Sequence, residues 1–463
     1  MNSSKSVGVE AISGAKLSYN TVWRWHFYAG IICIPFAIWL SITGSIYLFK
    51  PQIETWLDSE YANLDYNGQP ATPSALVSAA ISAVPGSVLN AYILPSSPHS
   101  AVQILVGNAH DLQRVYLHPQ SLKILKIADE DLRPMSILFH LHGDMLLGDG
   151  GSMIMELAAS WMIVLILSGL YLWWPAKMTS FAGTVYPRLN KGAHLFWRDM
   201  HAVSGLWVSF FLLFLLISGL PWAKSWGGML KQLRQTEQKT LVTQDWTTGR
   251  SSELAERKAS NTPIANNHIG HGEPGGGGAM NLVLQDYSVI DKLVENVAPL
   301  NLAPPVLISP PNQNSLLWSA RSDSQNRPLR VNLKLDAESG SVVERNDFAQ
   351  RNLLDRIIGY GVAAHEGQLF GWFNQALGLF TTVSVVALAV SSAVLWWRRR
   401  PQGVLGAPKA LARPPLPKYL FTIILVLGVF LPLLGVALLA ILLLEFTVLR
   451  RIRRVSEFLG VST

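Results

Sequence analysis

Residues 23–50 read WRWHFYAGIICIPFAIWLSITGSIYLFK. The run is apolar and exceeds the roughly 20 residues that a helix needs to span a bilayer. His26 stands near its first turn and Gly44 near its end. The pattern returns at His201 as HAVSGLWVSFFLLFLLISG. His26 precedes Gly30 by four residues and Gly44 by 18, and His201 precedes Gly205 by four and Gly219 by 18. Two equivalent membrane helices, each with a histidine at one edge, form a pair built to grip something between them.

The 463 residues are 49% hydrophobic and only 14% charged, with a mean hydropathy of +0.27. That is too apolar for an ordinary soluble enzyme and too polar for spans alone, so membrane helices with sizeable extramembrane domains are expected. The net charge of +7 comes from basic residues clustered beside apolar runs. Topology explains them better than nucleic acid does. The single cysteine, Cys33, lies inside the first span. It excludes an intramolecular disulfide and any cysteine-ligated iron–sulfur or zinc site. The N-terminal run is too long for a cleavable signal and has no small-residue cleavage site after it, so it reads as a retained anchor.

The expected organisation follows the charges. Lys5, Lys16 and Arg24 put residues 1–20 in the cytoplasm. The first span covers 21–50, with Pro35 as a kink that a packed bundle tolerates. Residues 51–133 form an outer domain: a helix over Pro73–Val84, then strands at Ala101–Val106, Arg114–His118 and Leu122–Ile127. Residues 134–175 hold a short helix with His140 and His142, a break at Gly148, Gly150 and Gly151, and the second span to Trp173-Trp174-Pro175. The loop 176–200, with Lys177, Arg188, Lys191 and Arg198, returns to the cytoplasm. The third span is 201–223. A second outer domain, 224–362, contains the Gly-rich stretch His268–Met280. In it a helix at Tyr287–Val297 is expected, with strands at Val306–Ser309, Ser315–Ala320, Leu329–Leu335 and Ser341–Glu344. The fourth span, 363–398 with its lead-in, stops at Trp396-Trp397-Arg398-Arg399-Arg400. After a cytoplasmic loop, 399–415, the apolar run 416–449 is read as two short helices broken near Pro432 and Gly435. A single span would place the basic tail 450–463 outside, against the positive-inside rule.

The second-helix units match as the first-helix units do. His142 lies six residues before Gly148 and 31 before Trp173; His365 lies six before Gly371 and 31 before Trp396. The fold class expected is therefore a mainly α membrane protein. In it a helix–α+β domain–helix unit is duplicated around a four-helix core, with both copies running the same way.

Four histidines survive both alignments: His26, His201, His142 and His365. Topology puts the first two at the cytoplasmic edge and the last two at the outer edge. Eighteen residues of helix rise about 27 Å, so the two levels are roughly a membrane apart. Two neutral imidazoles from facing helices suit a six-coordinate haem for electron transfer. Gly30, Gly205, Gly143 and Gly367 are expected to let a flat macrocycle approach backbone. The bland alternative makes these histidines interfacial, bonded to headgroups or loops. Zinc fits less well, since each pair lacks the further ligands zinc takes. His140 has no counterpart, Ala363 standing in its place, and His194 falls seven residues before His201. Both are candidates for a substitute ligand or an accessory near a haem, with surface roles the first expectation, and a solvated linker role is expected for His268 and His271. Arg24 and Arg198 are candidates for haem carboxylates, though flank charges need no such role.

At the segments HFYAG, HAVSG, HGDMLLG, HEGQLFG, LYLWWP and AVLWWRRRP the chain resembles the PepSY-associated transmembrane family over about residues 20–400. The resemblance implies PepSY-like outer domains. It also implies kinship with bacterial inner-membrane reductases of ferric siderophores (the ferrioxamine type), which hold haem in a four-helix core.

Residues and resemblance together lead to the expectation of a di-haem b electron conduit in the bacterial inner membrane. Its electrons would come from a cytoplasmic reductase or a quinol, because no dinucleotide fingerprint or P-loop is present. They would reach a ferric siderophore or other periplasmic iron chelate. No catalytic side chain is expected; the protein's part is ligation, spacing and tuning. The rival is a membrane-anchored PepSY binding or regulatory protein without haem. A transporter subunit is disfavoured by the scarcity of ionisable residues within the spans, Glu445 excepted.

Overall fold

The computed structural model describes residues 3–108, 111–174, 180–237, 287–311, 317–408, 418–449 and 451–460. The stretch His268–Met280, with His268 and His271, lies outside them. The chain divides into two compact units, Met1–Leu48 with Leu138–Thr243 and Trp372–Thr463, and Phe49–Ile137 with Gln244–Gly371.

Among the described residues, five helices are long and apolar enough to cross a membrane: Tyr19–Tyr47, Gly148–Trp173, Ala193–Trp222, Trp372–Arg399 and Pro432–Leu449. The first four belong to helices α1 (Ser3–Tyr47, Pro35 inside it), α2 (Gly148–Trp173), α3 (Ala193–Gly219) and α4 (Trp372–Arg399). In the first unit α1 packs on α2 and α4, and α3 on α2 and α4. The run after residue 416 is broken at Leu431 into Lys418–Phe430 and Pro432–Leu444, with Pro432 opening the second helix. The two pack against each other with Gly428 on Gly435, where an added Cβ would stand 2.6 Å from the Gly428 carbonyl oxygen.

Among the boundaries that differ from expectation are the starts of α2 and α3. Gly148, Gly150 and Gly151 do not break the chain but form the first turn of α2. The break falls just before them, where Met145 and Leu146 adopt left-handed backbone (φ 55° and 59°) and the Asp144 carboxylate accepts from the Leu146 N–H. Gly151 is required because a Cβ there would overlap the Asp144 carbonyl at 1.7 Å. The third helix begins at Ala193, eight residues before His201. The charged pair Arg198-Asp199 in its second turn masked that start, since hydropathy reports the apolar part of a helix and not its backbone.

The second unit holds one antiparallel sheet of eight strands in the order β4-β3-β2-β1-β5-β6-β7-β8. The strands are β1 (Val88–Ile93), β2 (Val102–Gly107), β3 (Leu112–Leu117), β4 (Ile124–Asp129), β5 (Val306–Ser309), β6 (Trp318–Ser322), β7 (Val331–Leu335) and β8 (Val342–Asp347). Two separate small sheets were expected. Instead β1 and β5 pair, Tyr92 opposite Ile308 and Ile93 opposite Leu307. The physical reason is the edge: each half alone would leave unpaired N–H and C=O groups on that strand. β1 itself escapes a periodicity reading because Ala91, Tyr92 and Ile93 are all buried, which erases alternation.

Helices Pro73–Ala83 and Val289–Val297 cover one face. The first starts on a Thr72 cap that accepts from the Ala75 N–H, with Pro73 in the first turn. Leu76, Val77 and Ala80 from one helix and Ile290, Leu293 and Val297 from the other close on Ile104, Val106, Ile308 and Leu333. Period-2 alternation sends Leu105 to the opposite face, beside Ala91, Ile93, Leu112 and Leu307. Asp291 ties the helices together, accepting from the Ser74 N–H and hydroxyl at 2.7 Å each.

Candidate functional site

The first unit holds a half-open cavity of about 1090 Å³ lined by all four helices. It exceeds the roughly 300–1,000 Å³ of pockets that bury drug-sized ligands. The walls are apolar and aromatic, with Phe27, Ile34, Leu165, Ile166, Trp197 and Leu388 among them. Gly30 and Gly205 line it, as expected. Among the described residues the charged side chains in the lining are Arg198, Arg398 and Arg399, with no carboxylate beside them.

His26 on α1 and His201 on α3 both face this cavity. Their ring centroids are 6.3 Å apart and their planes cross at 79°. Each ring has its Nδ1 engaged. His26 Nδ1 meets the Ser168 hydroxyl of α2 at 2.9 Å, and His201 Nδ1 lies 3.4 Å from the Leu388 carbonyl of α4. A carbonyl can only accept. The Ser168 oxygen also lies 2.7 Å from the Val164 carbonyl, which takes its proton when the ring donates. An imidazole that donates from Nδ1 to such acceptors keeps its lone pair on Nε2, the arrangement that a ligating histidine adopts when its other nitrogen is held.

His142 belongs to the first unit and His365 to the second, so each is described by itself. His142 sits on the helix Pro134–Gly143, and its Nδ1 meets the Thr43 hydroxyl of α1 at 2.9 Å. Thr43 donates to the Trp39 carbonyl at 2.8 Å, which repeats the Ser168 arrangement. His365 ends the helix Leu353–His365. Gly367 follows it in left-handed backbone, φ 75°. That turn, rather than room for a macrocycle, explains this glycine. No heavy atom would lie within 4 Å of a Cβ at Gly143.

The accessory residues separate. His194, for which a surface role was the first expectation and an accessory role beside the histidine pair the other, lies on α3 and lines the cavity. His140 pairs locally with Asp144 at 2.8 Å. Arg24 is taken up by the carbonyls of Pro408 and Gly460 and by the Tyr28 hydroxyl. Arg198 reaches the cavity while touching Asp199, a fully buried carboxylate that Arg188 holds at 2.7 and 2.8 Å. These bonds pin the loop before α3 to its first turns.

Sequence reasoning missed Ser168 and Thr43. A signal was present: Thr43-Gly44 recurs as Ser218-Gly219 at the spacing that relates His26 to His201. Among the described residues no group of three or more His, Cys, Asp or Glu side chains gathers to hold an ion. A family model described as the PepSY-associated TM region matches residues 23–399. No curated protein matches the chain.

Proposed function

The chain belongs to the PepSY-associated transmembrane family, and from that premise we propose that it is a di-haem b electron-transfer protein of the bacterial inner membrane. His26 and His201 would hold one haem, and His142 and His365 would be the ligands of the other. The observation that carries the reading is the His26–His201 pair. Two imidazoles that shared one metal, at about 2 Å per metal–nitrogen bond, would leave their ring centroids roughly 6 Å apart; here the separation is 6.3 Å. The residues around the pair fit the group. Apolar and aromatic walls suit a porphyrin, and Arg198, Arg398 and Arg399 suit its carboxylates. When bound, haem iron supplies one-electron redox chemistry.

The fold supports the rest. Thr43, which holds His142, lies 17 residues along α1 from His26. That is about 26 Å of helix, close to the hydrocarbon thickness. The sheet order, in which one meander meets another across β1 and β5, supports a duplicated helix–domain–helix unit around a four-helix core. In this reading the N-terminus is cytoplasmic and the sheet unit periplasmic. A cytoplasmic reductase or a quinol donates electrons, and the acceptor is a ferric siderophore or similar chelate. Reduction releases the iron because Fe(II) matches hard oxygen ligands less well.

Purified protein tests this directly. Two haems per chain, with a Soret band and reducible α and β bands, are expected. His26→Ala and His365→Ala should each remove about half the signal. Colourless protein from haem-replete cells would overturn the reading. It would leave the second one, a membrane-anchored binding protein. That alternative is favoured by an open cleft of about 830 Å³ in the sheet unit, lined by Tyr66, Tyr92 and His99.

A further inference from the structure

The two histidines whose Nδ1 meets a hydroxyl are held in the same way by different helices. Ser168 is followed by Gly169, and Thr43 by Gly44. A Cβ added at Gly169 would stand 3.2 Å from His26 Cε1, and one at Gly44 would stand 3.1 Å from His142 Cε1. In each case the hydroxyl takes the ring nitrogen, and the glycine leaves space for the neighbouring ring carbon. In each case the hydroxyl proton is spent on the carbonyl four residues earlier, Val164 for Ser168 and Trp39 for Thr43. A hydroxyl committed in that way can only accept.

We infer that Ser168-Gly169 and Thr43-Gly44 are matched positioning pairs that fix the Nδ1-protonated tautomer of His26 and His142 and so assign Nε2 as the ligating nitrogen. The inference rests on the haem reading for its purpose but not for its test. A free imidazole can carry its proton on either nitrogen; the hydroxyl removes that choice before any ligand arrives. Holding the ring also makes Nε2 more electron-rich. Ser391 extends the pattern. It follows Ser168 by 223 residues, the interval between His142 and His365. Its hydroxyl donates to the Leu388 carbonyl at 2.9 Å, the same oxygen that His201 Nδ1 faces at 3.4 Å. There the backbone carbonyl holds the ring and the serine shares its acceptor.

The test uses full-length protein made without haem and labelled with ¹⁵N in its histidine rings, His26 being assigned by its loss in His26→Gln. The wild-type His26 ring should be protonated at Nδ1. Ser168→Ala should shift its tautomer ratio toward Nε2-protonated by about five- to tenfold, the equivalent of one hydrogen bond. Ser168→Thr should restore the wild-type ratio. A wild-type ring protonated at Nε2, or a ratio unmoved in Ser168→Ala, overturns the inference. In haem-loaded protein, Ser168→Ala should shift the midpoint potential and low-spin g-values of one haem and Thr43→Ala those of the other, with both haems retained. Unchanged values in both variants also overturn it. Should the protein take up no haem, the functional reading falls while the ¹⁵N measurement still decides the tautomer.

Discussion

In the sheet unit the side chains sealed from solvent are Ile104, Ile290, Ile308 and Leu335; in the helix unit those most fully sealed include Ser160, Thr381 and Ser391, while Ile32, Phe210 and Phe380 face outward. The same elementary physics produces both patterns. Where water surrounds the fold, burying aliphatic area is the main gain. Where lipid surrounds it, an outward Phe loses nothing. The interior then admits small and hydroxyl-bearing residues, which allow close approach and bond across helices, among aliphatic ones such as Ile163, Ile166 and Leu434. Those hydroxyls give histidines a place to be held. Ser168 and Thr43 each serve a neighbouring imidazole because the inward face of a membrane helix tolerates a hydroxyl.

Four substitutions or conditions would break or sharpen this contrast. The largest effect is expected from Ile104→Ala in the sheet core, a loss of about 2–5 kcal/mol. It should appear as a lower denaturation midpoint of the sheet unit, followed through buried Trp318. Next comes acid. Burial pushes the Glu130 carboxyl up, but the Arg114 guanidinium at 2.7 Å and Arg133 beside it override that and hold it at about 2, against an ordinary 4.5. The folded value lies below the unfolded one, so the stabilisation is complete above pH 4.5 and disappears as pH falls toward 2. It amounts to at most about 3 kcal/mol. Glu130→Gln should flatten that part of the stability–pH curve; an unchanged curve would remove this pair from the account.

Smaller effects are expected in the helix unit. The hydroxyls of Ser45 on α1 and Thr382 on α4 share a hydrogen bond at 2.7 Å. Hydrogen bonds between membrane helices average roughly 0.6 kcal/mol, so Ser45→Ala should lower thermal stability in detergent only slightly. Phe210→Ala should do the least. Its side chain is 75% exposed, and replacing lipid contact with lipid contact leaves packing untouched. A core-sized loss there would show that Phe210 meets a protein surface instead of lipid.

Much of this was legible along the chain. Hydropathy and length gave the spans, because a helix in lipid needs a continuous apolar run. Repeated spacing singled out His26, His201, His142 and His365, because a register is a property of sequence alone. The strands at Val306–Ser309 and Val102–Gly107 followed from turn residues and apolar patterning. The Tyr92–Ile308 pairing did not. It joins residues more than 200 positions apart, and its cause is an open strand edge that exists only after each half has formed. Nor could the chain alone say that the His26 and His201 rings stand 6.3 Å apart, or that the Ser168 hydroxyl meets one of them at 2.9 Å. Periodicity tells which face of a helix turns inward. Which atoms meet across the interior depends on how far each helix slides and rotates against its neighbours, and only tertiary packing decides that.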